Sequence, residues 1–222
     1  MKLTVVIPAY NEEKNIGEVI EAVKKYTKDI IVVDDCSTDK TGEISIKRGA
    51  KVLRHIVNRG LGGALGTGIK SAILDGADII VTLDADGQHD PDDIPKLTKP
   101  IIDREADFVV GSRFLGKQKM PPFRVFANKF GNFITFIFWE IKSSDTQSGF
   151  RVFNNCGAQK IEILSNGMEV SSEIIKEIKS NKLRMKEIPI KAIYTPYSLS
   201  KGQGLLTGIK TFLKLLILKF IQ

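Results

Sequence analysis

Short apolar runs that end at a proline or at acidic residues recur through the first half of the chain and constrain its fold most strongly. The runs at residues 3–7, 29–33 and 79–83 are rich in β-branched residues and have the length of buried strands. Two further strands are predicted at residues 51–55 and 107–110. Helical segments separate the strands, which predicts an α/β fold with a mostly parallel sheet flanked by helices.

The helices of the first half are predicted from their caps and their apolar spacing. Asn11 is expected to cap a helix through residues 16–23, and Thr38 or Asp39 a second helix that ends near Arg48. Two more helices are predicted, at residues 69–74 and 91–102.

The second half is predicted to contain more helix and fewer strands. The expected elements are helices at residues 123–141, 156–164, 170–179 and 205–221, a strand at residues 187–194 and a loop at residues 195–204. No repeat, low-complexity tract or proline-rich linker divides the 222 residues. One domain is therefore expected, with halves at residues 1–112 and 113–222.

Charge is distributed unevenly between these halves. Residues 1–112 carry a net charge of −4, whereas residues 113–222 carry +11. The first half is suited to cations and the second to anions, which could be a phosphate substrate, an anionic membrane or a nucleic acid. A solvated lysine-rich surface is the alternative. The aromatic residues cluster in an apolar helix and no nucleic-acid motif is present, which argues against a nucleic-acid binder.

The segment DADGQ, residues 84–88, follows a predicted buried strand. Asp84 and Asp86 can bind one hard cation such as Mg²⁺ or Mn²⁺, and Gln88 can add a carbonyl oxygen. An Asp-rich turn that caps a helix is the alternative. The position at a strand end, matched by Asp35 after another strand, favours a metal site.

Asp35 and the glycine-rich stretch at residues 60–68 each allow two interpretations. Asp35 could accept a hydrogen bond from a base or a ribose, or it could cap a turn or a helix. The glycines resemble a dinucleotide fingerprint, but they follow the third strand and not the first. We therefore expect the glycines to permit tight helix packing or close approach to a ligand.

Charged residues beyond the fifth strand are candidates for binding an anion. Arg113 follows that strand directly, and its guanidinium suits phosphate; Lys129 and Arg151 are further candidates. Asp145 lies in a polar loop, where it could orient or deprotonate an acceptor, or simply cap the loop.

The predicted helix at residues 205–221 is apolar along one broad face and carries three lysines. It is too short and too charged to span a bilayer, but it fits the membrane interface. The helix at residues 123–141, with six of the twelve phenylalanines, could lie beside it. Two core helices or a dimer interface are the alternatives, and the basic surroundings favour the membrane surface.

The compartment is inferred from the N-terminal residues and the cysteines. The apolar run after Lys2 is too short for a signal peptide, and Cys36 and Cys156 suggest neither a disulfide framework nor a metal site. A reducing compartment without a transmembrane span is expected, with the protein peripheral at the cytoplasmic face of a membrane.

Six motifs occur in order along the chain: VVIPAYNEEKNI, VVDDCSTDKT, NRGLGGALGTGI, DADGQHDP, VGSRF and DTQSGFRVF. Together they resemble family 2 glycosyltransferases of the GT-A fold. They are most similar to dolichol-phosphate mannose synthases and related polyprenyl-phosphate sugar transferases. The resemblance extends from Val5 to about Lys201.

The resemblance implies a role for each matching position. A nucleotide-sugar site would include Pro8, Tyr10, Glu12, Val33, Asp35, Asp84, Ala85, Asp86, Gln88, Arg113 and Lys201. The metal ligands would be Asp84, Asp86 and Gln88, and the metal Mg²⁺ or Mn²⁺. Arg113 and Lys129 match positions for the acceptor phosphate, to which the charge argument adds Arg151. Asp145 matches an acid near the acceptor and, with Arg113, would be catalytic.

The implied reaction is an inverting transfer from a nucleotide-sugar to a lipid-linked phosphate at a membrane surface. Thr195 stands where the mannose synthases carry an arginine, so UDP-glucose and UDP-N-acetylglucosamine stay open beside GDP-mannose. An ionised phosphate needs no strong base, whereas a hydroxyl acceptor would need Asp145 as one. Transfer to a hydroxyl and a non-catalytic sugar-nucleotide-binding protein are the alternatives.

Overall fold

A seven-stranded sheet is the scaffold of the residues that this computed structural model describes, 1–116 and 122–193. Its strands in chain order are β1 (Leu3–Ala9), β2 (Ile30–Asp34), β3 (Lys51–Arg54), β4 (Ile79–Thr82), β5 (Phe108–Ser112), β6 (Arg151–Asn154) and β7 (Met185–Pro189). Across the sheet they lie in the order β3–β2–β1–β4–β6–β5–β7. The predicted α/β fold with a mostly parallel sheet is confirmed.

Strand β6 runs against the direction of its neighbours. It pairs antiparallel with β4 and β5, while the other neighbouring strands pair in parallel. An antiparallel strand begins at the edge where its parallel neighbours end, so the segment before β6 reaches the ligand-binding edge of the sheet. This strand was not predicted, because its four residues, RVFN, begin with an arginine and carry too little apolar signal.

Within the described residues, helices cover both faces of the sheet. They are α1 (Ile16–Val23), α2 (Thr41–Lys47), α3 (Gly60–Leu74), α4 (Ile94–Ile102), α5 (Pro122–Trp139), α6 (Asn155–Lys160) and α7 (Val170–Ser180). One buried cluster joins α1 and α4 to the sheet, and a second joins α3, α6 and α7 to the opposite face. The alternation along β1 explains both clusters, since Val5 and Ile7 face the first and Val6 the second.

The second half differs from the prediction mainly in the bounds of its elements. The helix predicted at residues 123–141 is α5, but α6 ends at Lys160 and the next residue is extended. Strand β7 ends at Pro189, after which Ala192 forms only an isolated bridge with His89. The predicted loop at 195–204 and helix at 205–221 lie outside the described residues. In the described part, no helix has the length and apolarity needed to cross a bilayer.

Asn11 does not cap α1, contrary to the prediction. Its backbone lies at φ 54°, and its side-chain oxygen accepts a hydrogen bond from the Thr38 N–H at 2.9 Å. The helix begins at Ile16, after Asn15. Lys40 occupies the cap position of α2, and Asp39 before it accepts hydrogen bonds from the N–H and hydroxyl of Thr41. Asn11 therefore ties the loop after β1 to the loop after β2.

The glycine-rich stretch is itself helical, because α3 begins at Gly60 and not near residue 69. A Cβ atom at Gly62 would lie 2.0 Å from the backbone oxygen of Ser165, and one at Gly68 would lie 2.3 Å from Cγ1 of Val6. These distances are far shorter than van der Waals contact. The glycines therefore permit tight helix packing, one of the two expected roles.

Alanine substitutions in α3 test this packing. Gly62→Ala is expected to lower the free energy of unfolding by about 1–3 kcal/mol, because the new methyl group overlaps backbone atoms. Gly66→Ala is the matched control, since its Cβ would meet Ile163 at an ordinary 3.7 Å. That variant should be neutral or stabilised by up to about 1 kcal/mol through helix propensity. Urea unfolding measures both, and equal stability of the two variants would contradict the close packing of α3.

Candidate active site

Four of the charged residues predicted to be functional lie at one edge of the sheet. Asp35 follows β2, Asp84 follows β4 and Arg113 follows β5, so parallel strands bring them to this edge. Asp145 reaches the same edge because it precedes the antiparallel strand β6. The structure thus brings the acids of the first half beside the cations of the second.

Arg113 and Asp145 form a bidentate ion pair. Nε and Nη2 of Arg113 each donate to a different carboxylate oxygen of Asp145 at 2.7 Å, and the Arg113 N–H donates at 3.0 Å. The Asp145 side chain is fully buried, and 14% of the Arg113 side chain is exposed. This geometry fixes the plane of the guanidinium, which is the group suited to phosphate. Both Asp145 oxygens are occupied, so the carboxylate orients Arg113 in this arrangement.

Gly149 packs against the carboxylate of Asp84. A Cβ atom at this position would lie within 2.3 to 2.5 Å of Cγ and both carboxylate oxygens of Asp84. The Gly149 carbonyl also accepts a hydrogen bond from the Thr82 hydroxyl at 2.8 Å. The segment that starts with Asp145 therefore also shapes the place that Asp84 occupies.

Asp84 and Asp86 lie in surroundings that disfavour two negative charges. Burial raises the pKa of Asp84, while the charges of Arg151 and Arg113 oppose that rise and Glu12 adds to it. Burial, followed by repulsion from Asp84, raises the pKa of Asp86. A cation between the two carboxylates would offset the repulsion between their negative charges.

Gln88 holds Asp86 from two sides. Its backbone N–H donates to Asp86 at 3.0 Å, and its side-chain amide nitrogen donates to the other oxygen of the same carboxylate. In this arrangement Gln88 orients a candidate metal ligand, whereas the sequence predicted it as a ligand itself.

Arg151 is buried beneath the site. It is 1% exposed, and its Nη2 donates to the Thr146 carbonyl at 3.2 Å. Burial lowers the pKa of Arg151 to about 10, against the opposing charges of Asp84 and Asp145, so the side chain stays charged near neutral pH. Arg151 was predicted as a ligand of the acceptor phosphate, but at 1% exposure its guanidinium is turned to internal partners. Arg151 instead places an internal positive charge near two acids of the site, Asp84 and Asp145.

His89 is a site residue that the sequence argument did not single out. Its Nδ1 accepts a hydrogen bond from the Asp84 N–H at 3.4 Å, and its ring packs on Phe150 with centroids 5.2 Å apart. Burial lowers the pKa of His89 to about 4, so the ring is neutral at pH 7. Its position three residues after Asp86 was the signal in the sequence that could have identified it.

Asp35 is anchored at the start of α3. Its carboxylate accepts hydrogen bonds from the N–H of Arg59 at 2.8 Å, the N–H of Gly60 at 2.7 Å and Nδ1 of His55 at 2.7 Å. The side chain is 5% exposed. The capping role, one of the two considered from the sequence, is therefore present, and it holds the end of β2 against α3.

The other residues predicted to bind the nucleotide-sugar differ in exposure. Glu12 is 8% exposed and close enough for its charge to raise the pKa of Asp84, while Tyr10 is 47% exposed. Pro8, Val33 and Ala85 are buried in or beside the strands. Lys129 is exposed on α5, and Lys201 lies outside the described residues.

The acidic pair fits a hard divalent cation. Among the described residues, the ionisable group nearest to the Asp84 carboxylate is the neutral His89 ring, whose Nδ1 lies 3.7 Å from Oδ2. No cluster of three or more His, Cys, Asp or Glu side chains is found in the described segments. Magnesium commonly binds through one or two carboxylates and completes its shell with water and substrate phosphates.

Comparison with known proteins identifies relatives along nearly the whole chain. The family model described as "Glycosyl transferase family 2" matches residues 4–161. A UDP-N-acetylglucosamine–dolichyl-phosphate N-acetylglucosaminyltransferase of Methanococcus voltae is 40% identical over 96% of this chain and 94% of its own. A dolichol-phosphate mannosyltransferase of Pyrococcus furiosus is 32% identical over 96% of this chain and 61% of its own.

A solved structure shares the architecture. Glucosyl-3-phosphoglycerate synthase from Mycobacterium tuberculosis, in complex with Mn²⁺, uridine diphosphate and glucosyl-3-phosphoglycerate, superposes with a TM-score of 0.73 at 19% identity. The match covers 98% of this chain and 79% of that one. At this identity the likeness establishes the fold, which is the GT-A type.

Replacement of the buried arginine tests the electrostatics of the site. Arg151→Met is expected to lower the free energy of unfolding by about 3–5 kcal/mol, because Asp84 and Asp145 lose their internal countercharge. Arg184→Met is the control, since Arg184 pairs with Asp107 at 2.9 Å but is 57% exposed. That variant should lose no more than about 1 kcal/mol.

The pH dependence of the Arg151→Met deficit gives a second criterion. Without Arg151 the pKa of Asp84 rises further in the folded protein. At low pH the Asp84 carboxyl is protonated and neutral, so the missing countercharge matters less. The deficit should therefore be smaller near about pH 5 than near about pH 8 in urea unfolding. A deficit that is absent or equal to that of Arg184→Met would contradict the proposed countercharge.

Proposed function

The chain belongs to glycosyl transferase family 2, and we propose that it transfers a sugar from a nucleotide-sugar to a polyprenyl or dolichyl phosphate with inversion at the anomeric carbon. The observation that carries this proposal is the oriented Arg113 beside the acidic pair at one edge of the sheet. A site with paired acids and a fixed guanidinium suits two phosphate-bearing substrates, one bound through a cation and one bound directly.

The donor diphosphate is assigned to the acidic side of the site. A Mg²⁺ or Mn²⁺ ion held by Asp84 and Asp86, with Gln88 beside them, would neutralise charge on the departing diphosphate. The nucleotide side is assigned from the sequence to Pro8, Tyr10, Glu12, Val33, Asp35, Ala85 and Lys201. The similarity to the Methanococcus voltae enzyme over nearly the full length makes UDP-N-acetylglucosamine the first donor to test.

The acceptor phosphate is assigned to Arg113, with Lys129 on α5 as the second cation. One of its oxygens attacks the anomeric carbon as the bond from that carbon to the nucleoside diphosphate breaks, and the configuration inverts. The ionised phosphate gives up no proton in this step. Asp145 therefore orients Arg113, and its full engagement with the guanidinium supports a phosphate acceptor over a hydroxyl.

The membrane surface is assigned to α5 together with the segment at residues 205–221. Phe133, Phe136 and Ile137 share one face of α5 and are 56%, 41% and 48% exposed. Exposed apolar side chains of this size fit a lipid interface, where the acceptor chain also resides. The reducing cytoplasmic side is assigned from the cysteine usage of the sequence, two cysteines far apart in the chain.

A transfer assay with doubly labelled donors tests the reaction. The full chain, Mn²⁺ or Mg²⁺ and vesicles with polyprenyl phosphate are incubated separately with UDP-N-acetylglucosamine, UDP-glucose and GDP-mannose. Label in the sugar should enter the organic phase from one donor, while label in the β-phosphate should stay in water. Absence of sugar label in lipid from all three donors would refute the lipid-phosphate acceptor.

Substitution of Asp86 tests the acidic side in the same assay. Asp86→Ala is expected to lower the metal-dependent rate on the order of a thousandfold, because one of two proposed ligands is lost. Asp92→Ala is the control, since Asp92 lies on the surface, where it accepts from Tyr26 at 2.8 Å. Full activity of Asp86→Ala at every metal concentration would remove the metal assignment.

Vesicle co-sedimentation tests the membrane assignment. The triple variant Phe133→Ser, Phe136→Ser, Ile137→Ser should bind anionic vesicles on the order of tenfold more weakly, because apolar area leaves the interface. The control replaces apolar residues on other helices that are 64%, 77% and 50% exposed, Ile46→Ser, Leu74→Ser and Ile102→Ser. Equal binding of the two triple variants would contradict a membrane contact by α5.

A further inference from the structure

One side chain of α5 holds both neighbours of Asp145. The Nδ2 of Asn132 donates to the Ser144 carbonyl at 2.6 Å. Its Oδ1 accepts from the Thr146 N–H at 2.9 Å and from the Thr146 hydroxyl at 2.8 Å. The amide therefore bridges the residue before Asp145 and the residue after it.

The chemistry of these partners determines the orientation of the amide. A backbone carbonyl can only accept and a backbone N–H can only donate, so the nitrogen of Asn132 must face Ser144 and the oxygen Thr146. A carboxylate at this position would bring an acceptor against the Ser144 carbonyl. Asparagine thus satisfies both contacts where its near-isostere, aspartate, satisfies one.

The same short segment is also held from the sheet. The Ser112 and Ser144 hydroxyls lie 2.7 Å apart, and Glu187 accepts from the Ser144 N–H at 2.8 Å. The Thr146 carbonyl accepts from Arg151, below the site. Asn132 holds the segment from the opposite direction, because it lies on α5, the helix that carries Lys129.

We infer that Asn132 is the positioning residue that fixes the Asp145–Arg113 pair relative to α5. It touches no reacting group; it acts through the backbone of the segment that bears Asp145. This inference rests on the proposed function, because it assigns Asn132 to the acceptor side of that reaction. Loosening the backbone of residues 144–146 should tilt the Arg113 guanidinium, whereas Asp86 is held by Gln88 and should stay in place.

Thr135 provides a matched control one turn further along α5. Its hydroxyl lies 2.9 Å from the Ser172 hydroxyl, and the side chain is fully buried. This contact joins α5 to α7 and does not involve the segment with Asp145. Thr135→Val therefore removes a buried polar contact of the same helix without touching the proposed positioning.

The test compares Asn132→Asp, Asn132→Ala and Thr135→Val in the full chain, with polyprenyl phosphate as the varied substrate. Both Asn132 variants should lower kcat/KM for the acceptor on the order of tenfold to a hundredfold, as expected for a misplaced reacting geometry. The dissociation constant of the nucleotide-sugar should change by less than about twofold. Thr135→Val should change neither quantity, whatever it costs in stability.

Two outcomes would overturn the inference. One is an acceptor kcat/KM of the Asn132 variants equal to that of Thr135→Val. The other is a parallel loss of donor affinity and acceptor kcat/KM, which would indicate a general structural role. The wild-type protein is assayed separately. If it labels no lipid, the proposed acceptor is refuted, and the role of Asn132 is decided by amide hydrogen exchange, which needs no substrate.

Amide hydrogen exchange tests the positioning without any substrate. The Thr146 N–H should exchange on the order of tenfold faster in Asn132→Ala than in the wild type, because its hydrogen-bond acceptor is gone. Asn132→Asp keeps an acceptor for this N–H and should retain more of the protection. Unchanged exchange of the Thr146 N–H in Asn132→Ala, or an equal increase in Thr135→Val, would refute the positioning of this segment by Asn132.

Discussion

The arrangement of the site depends on a buried guanidinium at the start of the antiparallel strand. Arg151 lies opposite Thr82 of β4 and Val110 of β5, and its charge acts on both Asp84 and Asp145. Burial of an arginine is unfavourable unless acidic groups and hydrogen-bond acceptors surround it. The two acids supply that compensation, so Asp84 and the Asp145–Arg113 pair share one internal cation.

The reversed strand also explains how two distant parts of the chain form one site. Parallel strands deliver only the residues that follow them to the ligand-binding edge, whereas β6 delivers the residues that precede it. The segment from Asp145 to Gly149 therefore contacts Arg113 at one end and Asp84 at the other. This continuous segment therefore holds Arg113 and Asp84 in fixed relation, as a reaction between two bound groups requires.

Local pattern was sufficient for much of the fold and for the identity of the charged residues. The β-branched runs predicted five of the parallel strands, and strand ends placed Asp84, Asp86 and Arg113 at the correct edge. Local sequence patterns gave the wrong secondary structure at three places. The strand RVFN was too short, Asn11 looked like a helix cap, and the glycines of α3 looked like a loop because glycine disfavours helix in isolation. Packing against Ser165 and Val6 outweighs that preference.

By itself, the sequence determined the α/β class, the acidic strand ends and the family, because each depends on residues that are near one another in the chain. Only the tertiary structure decided which groups are paired and which are buried. Arg151, a candidate phosphate ligand by sequence, is buried as an internal countercharge, Asp35 caps a helix, and Asn132 showed no signal at all. These roles depend on contacts between residues far apart in sequence, and on the loss of solvent around a charge, neither of which a local pattern contains.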